Sequence, residues 1–373
     1  MSVTILTILA VLFLAFANGA NDNFKGVATL YGSRTLGRRS ALIWATITTL
    51  AGSLTAAWLA TKLMKLFSGK GLVSDTLVAN PDFALAVAAG AATTVWIAAR
   101  RGIPISTTHA LVGALTGVGL AATAGQIQWR GLVGDFLWPL VASPFIALAL
   151  AAVIYRLVSH ARRAMGVGYE SCICLANGRV VPVDSPAVQM QAVMPSAMPE
   201  IVVDDIENCR RIDRYRGMIM GISLQKIIEA LHILSSGAVS FARGLNDTPK
   251  VVGVALVAAS LDAQWLTFAA AAVMAVGGLI ASHRIADTMG DRITEIEHGK
   301  GLIANLVTSF LVIVASKWGV PVSTTHVSTG AIFGIGSGNA ATDWGLVRNI
   351  VLVWFATLPV AGALAALIFI IVG

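Results

Sequence analysis

The sequence predicts an all-α polytopic membrane protein of two inverted-topology repeats, with discontinuous or re-entrant helices and about 10–12 membrane segments. Three observations carry that prediction: a depleted charge content, a series of long apolar runs, and two polar motifs that each occur twice. Of 373 residues, 56% are hydrophobic and only 12% charged, with a mean hydropathy of +0.79. A soluble domain carries about 25% charged residues, so a soluble protein with many buried helices is excluded.

The apolar runs span approximately 3–20, 40–61, 83–100, 107–124, 136–158, 217–241, 250–286 (interrupted near Asp262), 301–317, 323–338 and 346–372. Several reach the roughly 18 residues that mark a spanning helix. The first run lacks the basic start and small-residue cleavage site of a signal peptide, so it reads as the first membrane helix. Between the two apolar halves the chain turns polar, with Pro182, Pro186, Pro195 and Pro199 and the cations Arg162, Arg163, Arg210, Arg211, Arg214 and Arg216. The expected organisation is a first transmembrane repeat over 1–158, a hydrophilic linker over 159–216 and a second repeat over 217–373.

The net charge of +7 does not point to nucleic acid, because the cations collect at the ends of apolar runs, where they orient membrane proteins. By that rule the linker is cytoplasmic and both termini lie outside a cell membrane crossed many times, with the lipid bilayer as surroundings. The loop with Lys62, Lys65 and Lys70 runs against the rule. The three cysteines, Cys172, Cys174 and Cys209, form no disulfide framework, and no cofactor is expected.

The repeats are legible as self-similarity. Residues 19–25 read Gly-Ala-Asn-Asp-Asn-Phe-Lys and residues 244–250 read Gly-Leu-Asn-Asp-Thr-Pro-Lys, 225 positions apart. Residues 104–109 read Pro-Ile-Ser-Thr-Thr-His and residues 321–326 read Pro-Val-Ser-Thr-Thr-His, 217 apart. Two motifs recurring in the same order at nearly the same offset indicate duplication. An odd number of crossings per half makes the copies inverted.

Each motif has its own chemistry. Asn21, Asp22, Asn246 and Asp247 end apolar runs, where a charge costs at least a few kcal/mol and is normally paired and functional. Their hard oxygens suit a cation such as Na⁺, with Gly19 and Gly244 expected to let the backbone unwind around it; alternatively Asp22 and Asp247 carry protons. Ser106, Thr107 and Thr108, like Ser323, Thr324 and Thr325, open the following helix. One N-cap needs one hydroxyl; three in succession at a helix N-terminus, with its free N–H groups, form a neutral cradle for a tetrahedral oxyanion. Inverted halves let the two N-termini face each other, six hydroxyls around one anion. His109 and His326 are expected to orient the triplets or relay a proton, and Glu229 to pair with His232 one turn away.

These motifs together resemble the PiT family of inorganic phosphate transporters: Gly-Ala-Asn-Asp at the end of the first helix, Gly-x-Asn-Asp in the second half, two Pro-x-Ser-Thr-Thr-His motifs and a large loop between the halves. The resemblance covers both hydrophobic halves. It implies a homodimeric carrier that moves phosphate with a coupling cation. Cation roles fall to Asn21, Asp22, Asn246 and Asp247, the Na⁺ ligands if sodium couples. The anion role falls to Ser106, Thr107, Thr108, Ser323, Thr324 and Thr325. The sequence departs from the family at one matched pair of positions. The family motif continues Asn-Asp-Val-Ala-Asn, whereas Lys25 and Lys250 stand here in place of the second asparagine. They are expected to act as built-in counter-cations, shifting coupling from Na⁺ toward H⁺.

The competing classes are a carrier for sulfate, which shares the tetrahedral shape, a passive channel, and an intramembrane hydrolase built on Ser, His and Asp. A hydrolase needs a single nucleophile, whereas these motifs are kept in both halves, as a symmetric pathway requires.

Overall fold

The computed structural model describes residues 2–164, 171–183, 190–205, 222–256, 262–292, 298–336 and 344–373. The chain divides into two compact units, Met1–Ile154 with Ile233–Gly373, and Tyr155–His232.

The first unit is built of helices, two of which, the one ending at Ala164 and the one starting at Leu224, run on past its chain limits at Ile154 and Ile233. In its first half α1 (Val3–Asp22) passes through a 3₁₀ stretch (Asn23–Val27) into α2 (Ala28–Gly32), followed by α3 (Arg38–Leu59) and the short α4 (Thr61–Leu66) and α5 (Asp75–Val78). Then come α6 (Pro81–Arg100), α7 (Thr107–Ala122), the single turn α8 (Trp129–Gly131), a π-helical turn (Leu132–Leu137) and α9 (Trp138–Ala164). The second half holds α10 (Leu224–Ala255), α11 (Ala263–Ala281), α12 (His283–Arg292), α13 (His298–Trp318), α14 (Thr324–Gly336) and α15 (Trp344–Val372). Among the described residues, 7 helical stretches are long and apolar enough to cross a membrane. Large apolar side chains such as Trp58, Phe145, Phe310, Phe355 and Ile371 stand exposed on the outside, while Asn, Asp, Lys and Ser side chains are buried within. That arrangement suits a lipid surround rather than water.

Local chemistry sets the helix starts. Asn80 accepts a hydrogen bond from the Asp82 N–H (2.9 Å) ahead of Pro81 at the first helical position, an N-terminus that costs proline nothing. The break expected near Asp262 is another cap, whose carboxylate accepts from the Gln264 N–H (2.7 Å) to open α11. At ~1.5 Å per residue, α7 and α14 are roughly 24 and 20 Å long, short of the ~30 Å hydrocarbon core. Neither is long enough to cross that core alone.

Small residues set the crossings, and the crossings recur in pairs. Gly19 of α1 meets Met274 and Gly278 of α11, and its counterpart Gly244 of α10 meets Thr49 and Ser53 of α3. Gly113 of α7 lies on the Leu358 carbonyl of α15, while Gly330 of α14 lies on the Pro144 carbonyl of α9. Every one of these contacts joins one half to the other. Gly19 and Gly244 do not unwind the backbone as expected: both sit inside continuous helix. What they supply is close approach, since a Cβ would stand 2.0 Å from the Met274 carbonyl oxygen and 2.1 Å from that of Thr49. Gly244→Val should therefore force α10 off α3 and lower stability by about 1–3 kcal/mol or more, read as the thermal midpoint of the purified protein in detergent.

The second unit contains an antiparallel pair, β1 (Ser171–Val183) and β2 (Met190–Asp205), running from Ser171 opposite Asp205 to Val183 opposite Met190. The two-residue β3 (Ile222–Ser223) joins the other edge of β1 at Cys172. Cys209, Pro186 and the arginines of 210–216 lie outside the described residues.

Candidate functional site

The two Ser-Thr-Thr triplets meet. Ser106 and Ser323 are the helix-capping residues of α7 and α14, their hydroxyls accepting from the His109 and His326 N–H groups (3.3 Å each). The capping role absorbs one hydroxyl per helix. The capped ends face one another closely enough for Ser106 Oγ to donate to Ser323 Oγ at 2.9 Å. All six triplet side chains are buried. Behind the serines, the rings of His109 and His326 lie 4.3 Å apart between centroids, and His326 stacks on Trp354 at 3.7 Å. His109 Nδ1 is 2.9 Å from Ser106 Oγ, the position from which a ring orients a hydroxyl.

The Asn-Asp motifs flank the triplets. The Asp22 carboxylate accepts from Asn21 (2.7 Å), Asn18 (2.9 Å), Thr107 (2.9 Å) and the Lys25 ammonium. In the second half Asp247 accepts from Asn246 (3.0 Å) and, more loosely, from Asn18 (3.4 Å), with Lys250 at 3.5 Å. Asn21 also donates to the Ile105 carbonyl (2.9 Å) and Asn246 to the Val322 carbonyl (3.2 Å), each the residue before its own triplet's serine. Asn246 further donates to Thr324 Oγ1 (3.3 Å). The Asn-Asp motif thus fastens the loop that aims the triplet.

The lysines cross the boundary between the halves. Lys25 Nζ donates to Asp22, to the Ile105 carbonyl (2.5 Å) and to Thr325 Oγ1 of the other half (3.1 Å). Lys250 Nζ pairs with Asp247, donates to the Val322 carbonyl (2.7 Å) and reaches Thr108 Oγ1 of the first half (2.7 Å). The two sets of contacts are equivalent under the repeat. A lysine that fills a threonine's lone pair leaves that hydroxyl's proton to be donated elsewhere, and Thr108 gives its own to the Val322 carbonyl of the other half (3.3 Å). Lys25 lies in the 3₁₀ stretch after Asp22, whereas Lys250 reaches the equivalent contacts from within continuous helix.

The model of the phosphate transporter family matches residues 18–365. The chain belongs to the phosphate transporter family. The transporter is 28% identical over 372 residues to a protein of Rhizobium meliloti described as a probable low-affinity inorganic phosphate transporter, covering 96% of this chain and 93% of the relative. It is 26% identical to inorganic phosphate transporter 2-1, chloroplastic, of Arabidopsis thaliana, covering 97% of this chain and 70% of that one. A solved structure titled the sodium-dependent phosphate transporter superposes with a TM-score of 0.76 at 20% identity, over 100% of this chain and 99% of the other; that likeness establishes a shared fold. The family is one of membrane transporters and not of enzymes, which removes the hydrolase reading.

The transporter's site also holds residues the repeated motifs do not point to. Arg243 is wholly buried; it donates to Thr49 Oγ1 (2.8 Å) and Asn23 Oδ1 (3.1 Å), while its Nε and Nη1 have no hydrogen-bond partner among the described residues. Counting back 225 positions, its counterpart in the first half is Asn18, the residue that bridges both aspartates. Asn23 in turn donates to Thr46 (2.8 Å). The signal that could have found Arg243 is an arginine between the end of an apolar run and the Gly-Leu-Asn-Asp motif, a charge beside a polar motif at membrane depth that asks for a function.

Proposed function

We propose that this transporter is a secondary active carrier that imports inorganic phosphate by alternating access, driven by a cation gradient of Na⁺ or H⁺. Phosphate is held between the N-termini of α7 and α14 by Ser106, Thr107, Thr108, Ser323, Thr324 and Thr325. The observation that carries this is the direct contact of Ser106 with Ser323, which brings two helix N-termini and their hydroxyls to one point from opposite halves. The exposed N–H groups and dipole ends favour an anion there, and neutral hydroxyls release it more readily than a ring of arginines would.

The hydrogen bonds that tie the halves together at the triplets include Ser106 to Ser323, Lys25 to Thr325, Lys250 to Thr108 and Thr108 to the Val322 carbonyl. A phosphate oxygen accepting from these hydroxyls competes with the serine contact directly, so substrate entry loosens the seam about which the halves move. The paired glycine contacts support an inverted relation between a repeat over 1–158 and one over 217–373. The charge pattern supports a cytoplasmic linker over 159–216 and outer termini, and the family resemblance a homodimer. Asn21, Asp22, Asn246 and Asp247 form the cation side of the site, with His109 and His326 setting the hydroxyls.

Labelled phosphate uptake by proteoliposomes tests the reading. Thr107→Val, which also removes the bond to Asp22, and Thr324→Val keep shape and remove a hydroxyl donor to a charged group, an interaction of about 1.5–3 kcal/mol, so each should lower uptake about tenfold or more with the protein still folded. Uptake at the wild-type level by both variants rejects the cradle. Excess sulfate that abolishes labelled phosphate uptake makes the protein a general tetrahedral-oxyanion carrier.

A further inference from the structure

Two equivalent points in the structure have the ligands of a hard-cation seat. The first is bounded by Asp22 Oδ1, the Ile105 carbonyl and Thr325 Oγ1, the second by Asp247 Oδ1, the Val322 carbonyl and Thr108 Oγ1. A carboxylate, a carbonyl and a hydroxyl, all oxygen and all buried, are what sodium takes from a protein. Each point is already filled by an ammonium of this chain. Lys25 and Lys250 are both buried, at 8% and 1% exposure, and their Nζ atoms make every one of the contacts named. The position is the one where the sequence departs from the family's second asparagine, a neutral side chain that would leave the same oxygens free.

From this we infer that Lys25 and Lys250 are tethered coupling cations: the protein carries in its own chain the two positive charges that sodium would supply, and the sodium gradient has no purchase on its cycle. The inference rests on the carrier reading above and decides its coupling ion against sodium. Charge points the same way. The cluster formed by Asp22, Asp247, Lys25, Lys250 and Arg243 holds three cations against two carboxylates, one positive charge in surplus before any ion enters. Adding sodium to either seat would place two like charges within contact distance in a site shielded from water, whereas adding an anion balances the surplus. Each lysine also grips the opposite half's third hydroxyl, a link a diffusible ion makes only while bound. The tether therefore keeps the two halves in register through the part of the cycle in which a sodium-coupled carrier has released its ion.

The test uses the full chain in proteoliposomes, with labelled inorganic phosphate under a fixed inward proton gradient. Replacing external Na⁺ by N-methylglucamine should leave uptake within about twofold; a fall of tenfold or more overturns the inference. Converting both positions to the family residue, Lys25→Asn with Lys250→Asn, should create a sodium response. In the double variant, Na⁺ but not equimolar K⁺ should raise the thermal midpoint and stimulate uptake, and a folded variant indifferent to Na⁺ overturns the assignment of the seats. The same thermal comparison on the wild-type protein needs neither transport nor a folded variant. An unchanged midpoint in Na⁺ against K⁺ supports the tether, and a sodium-specific rise refutes it. Failure of the wild-type protein to move phosphate under any gradient counts against the carrier reading instead, and the wild-type thermal comparison still decides the seats.

Discussion

Asp22→Ala should destabilise the folded protein by about 3–5 kcal/mol, the cost of leaving one member of a buried ion pair without the other. Four donors lose their acceptor at once: Asn18, Asn21, Lys25 and Thr107. The ammonium of Lys25 retains the Ile105 carbonyl and Thr325 but has no carboxylate against it. A second change separates charge from packing. Asp22→Ala with Lys25→Met removes both charges and fills the lysine's volume with an apolar chain, so it should recover a large part of the lost stability. Asp247→Ala should be milder, because Asp247 holds its lysine at 3.5 Å and accepts from Asn18 at only 3.4 Å. Thermal denaturation of the purified variants in one detergent measures all three. If the double variant is no more stable than Asp22→Ala alone, the pair is not what holds this loop.

The same comparison explains what could be read from the sequence and what could not. Duplication made the Asn-Asp and Ser-Thr-Thr motifs visible, N-cap chemistry placed Ser106 and Ser323 at helix starts, and the expectation that the two starts face one another came from reading the halves as inverted. The partners of the remaining hydroxyls were out of reach. Thr325 is held by a residue 300 positions away and Thr108 by one 142 positions away, pairings set only when the halves interlock. Gly19 and Gly244 were legible as special but assigned the wrong physics. A glycine beside a polar motif reads as an unwinding point, while here it permits backbone contact between helices of opposite halves. Arg243 escaped because a search for matched positions is blind to an unmatched one: its counterpart is Asn18, and the two residues share no chemistry. The strand pair in the linker lacked the helical signals that organised the rest of the chain.

That asymmetry makes Arg243 the second position with a large expected effect. On the proposed reading, a symmetric anion between symmetric triplets needs no arginine on one side, yet Arg243 is held by Asn23 and Thr49, with Thr46 behind Asn23. Its two unpartnered nitrogens are buried, and an unsatisfied buried donor is costly, so the arrangement has a cost in stability that something else must justify. As a general scale, opposite unit charges roughly 8 Å apart at an effective dielectric of ~20 interact by about 2 kcal/mol, or roughly thirtyfold in affinity. Arg243→Gln keeps a donor for Thr49 or Asn23 and removes the charge. It should raise the KM for phosphate about tenfold or more, with the thermal midpoint nearly unchanged. Arg243→Lys restores the charge without the planar fork and should recover most of the affinity if the arginine acts as a fixed counter-charge. Arg243→Met separates the alternatives: a methionine variant that transports as well as the lysine variant makes Arg243 a packing residue, while one that folds yet binds phosphate as weakly as the glutamine variant makes it the surplus charge that draws the anion in.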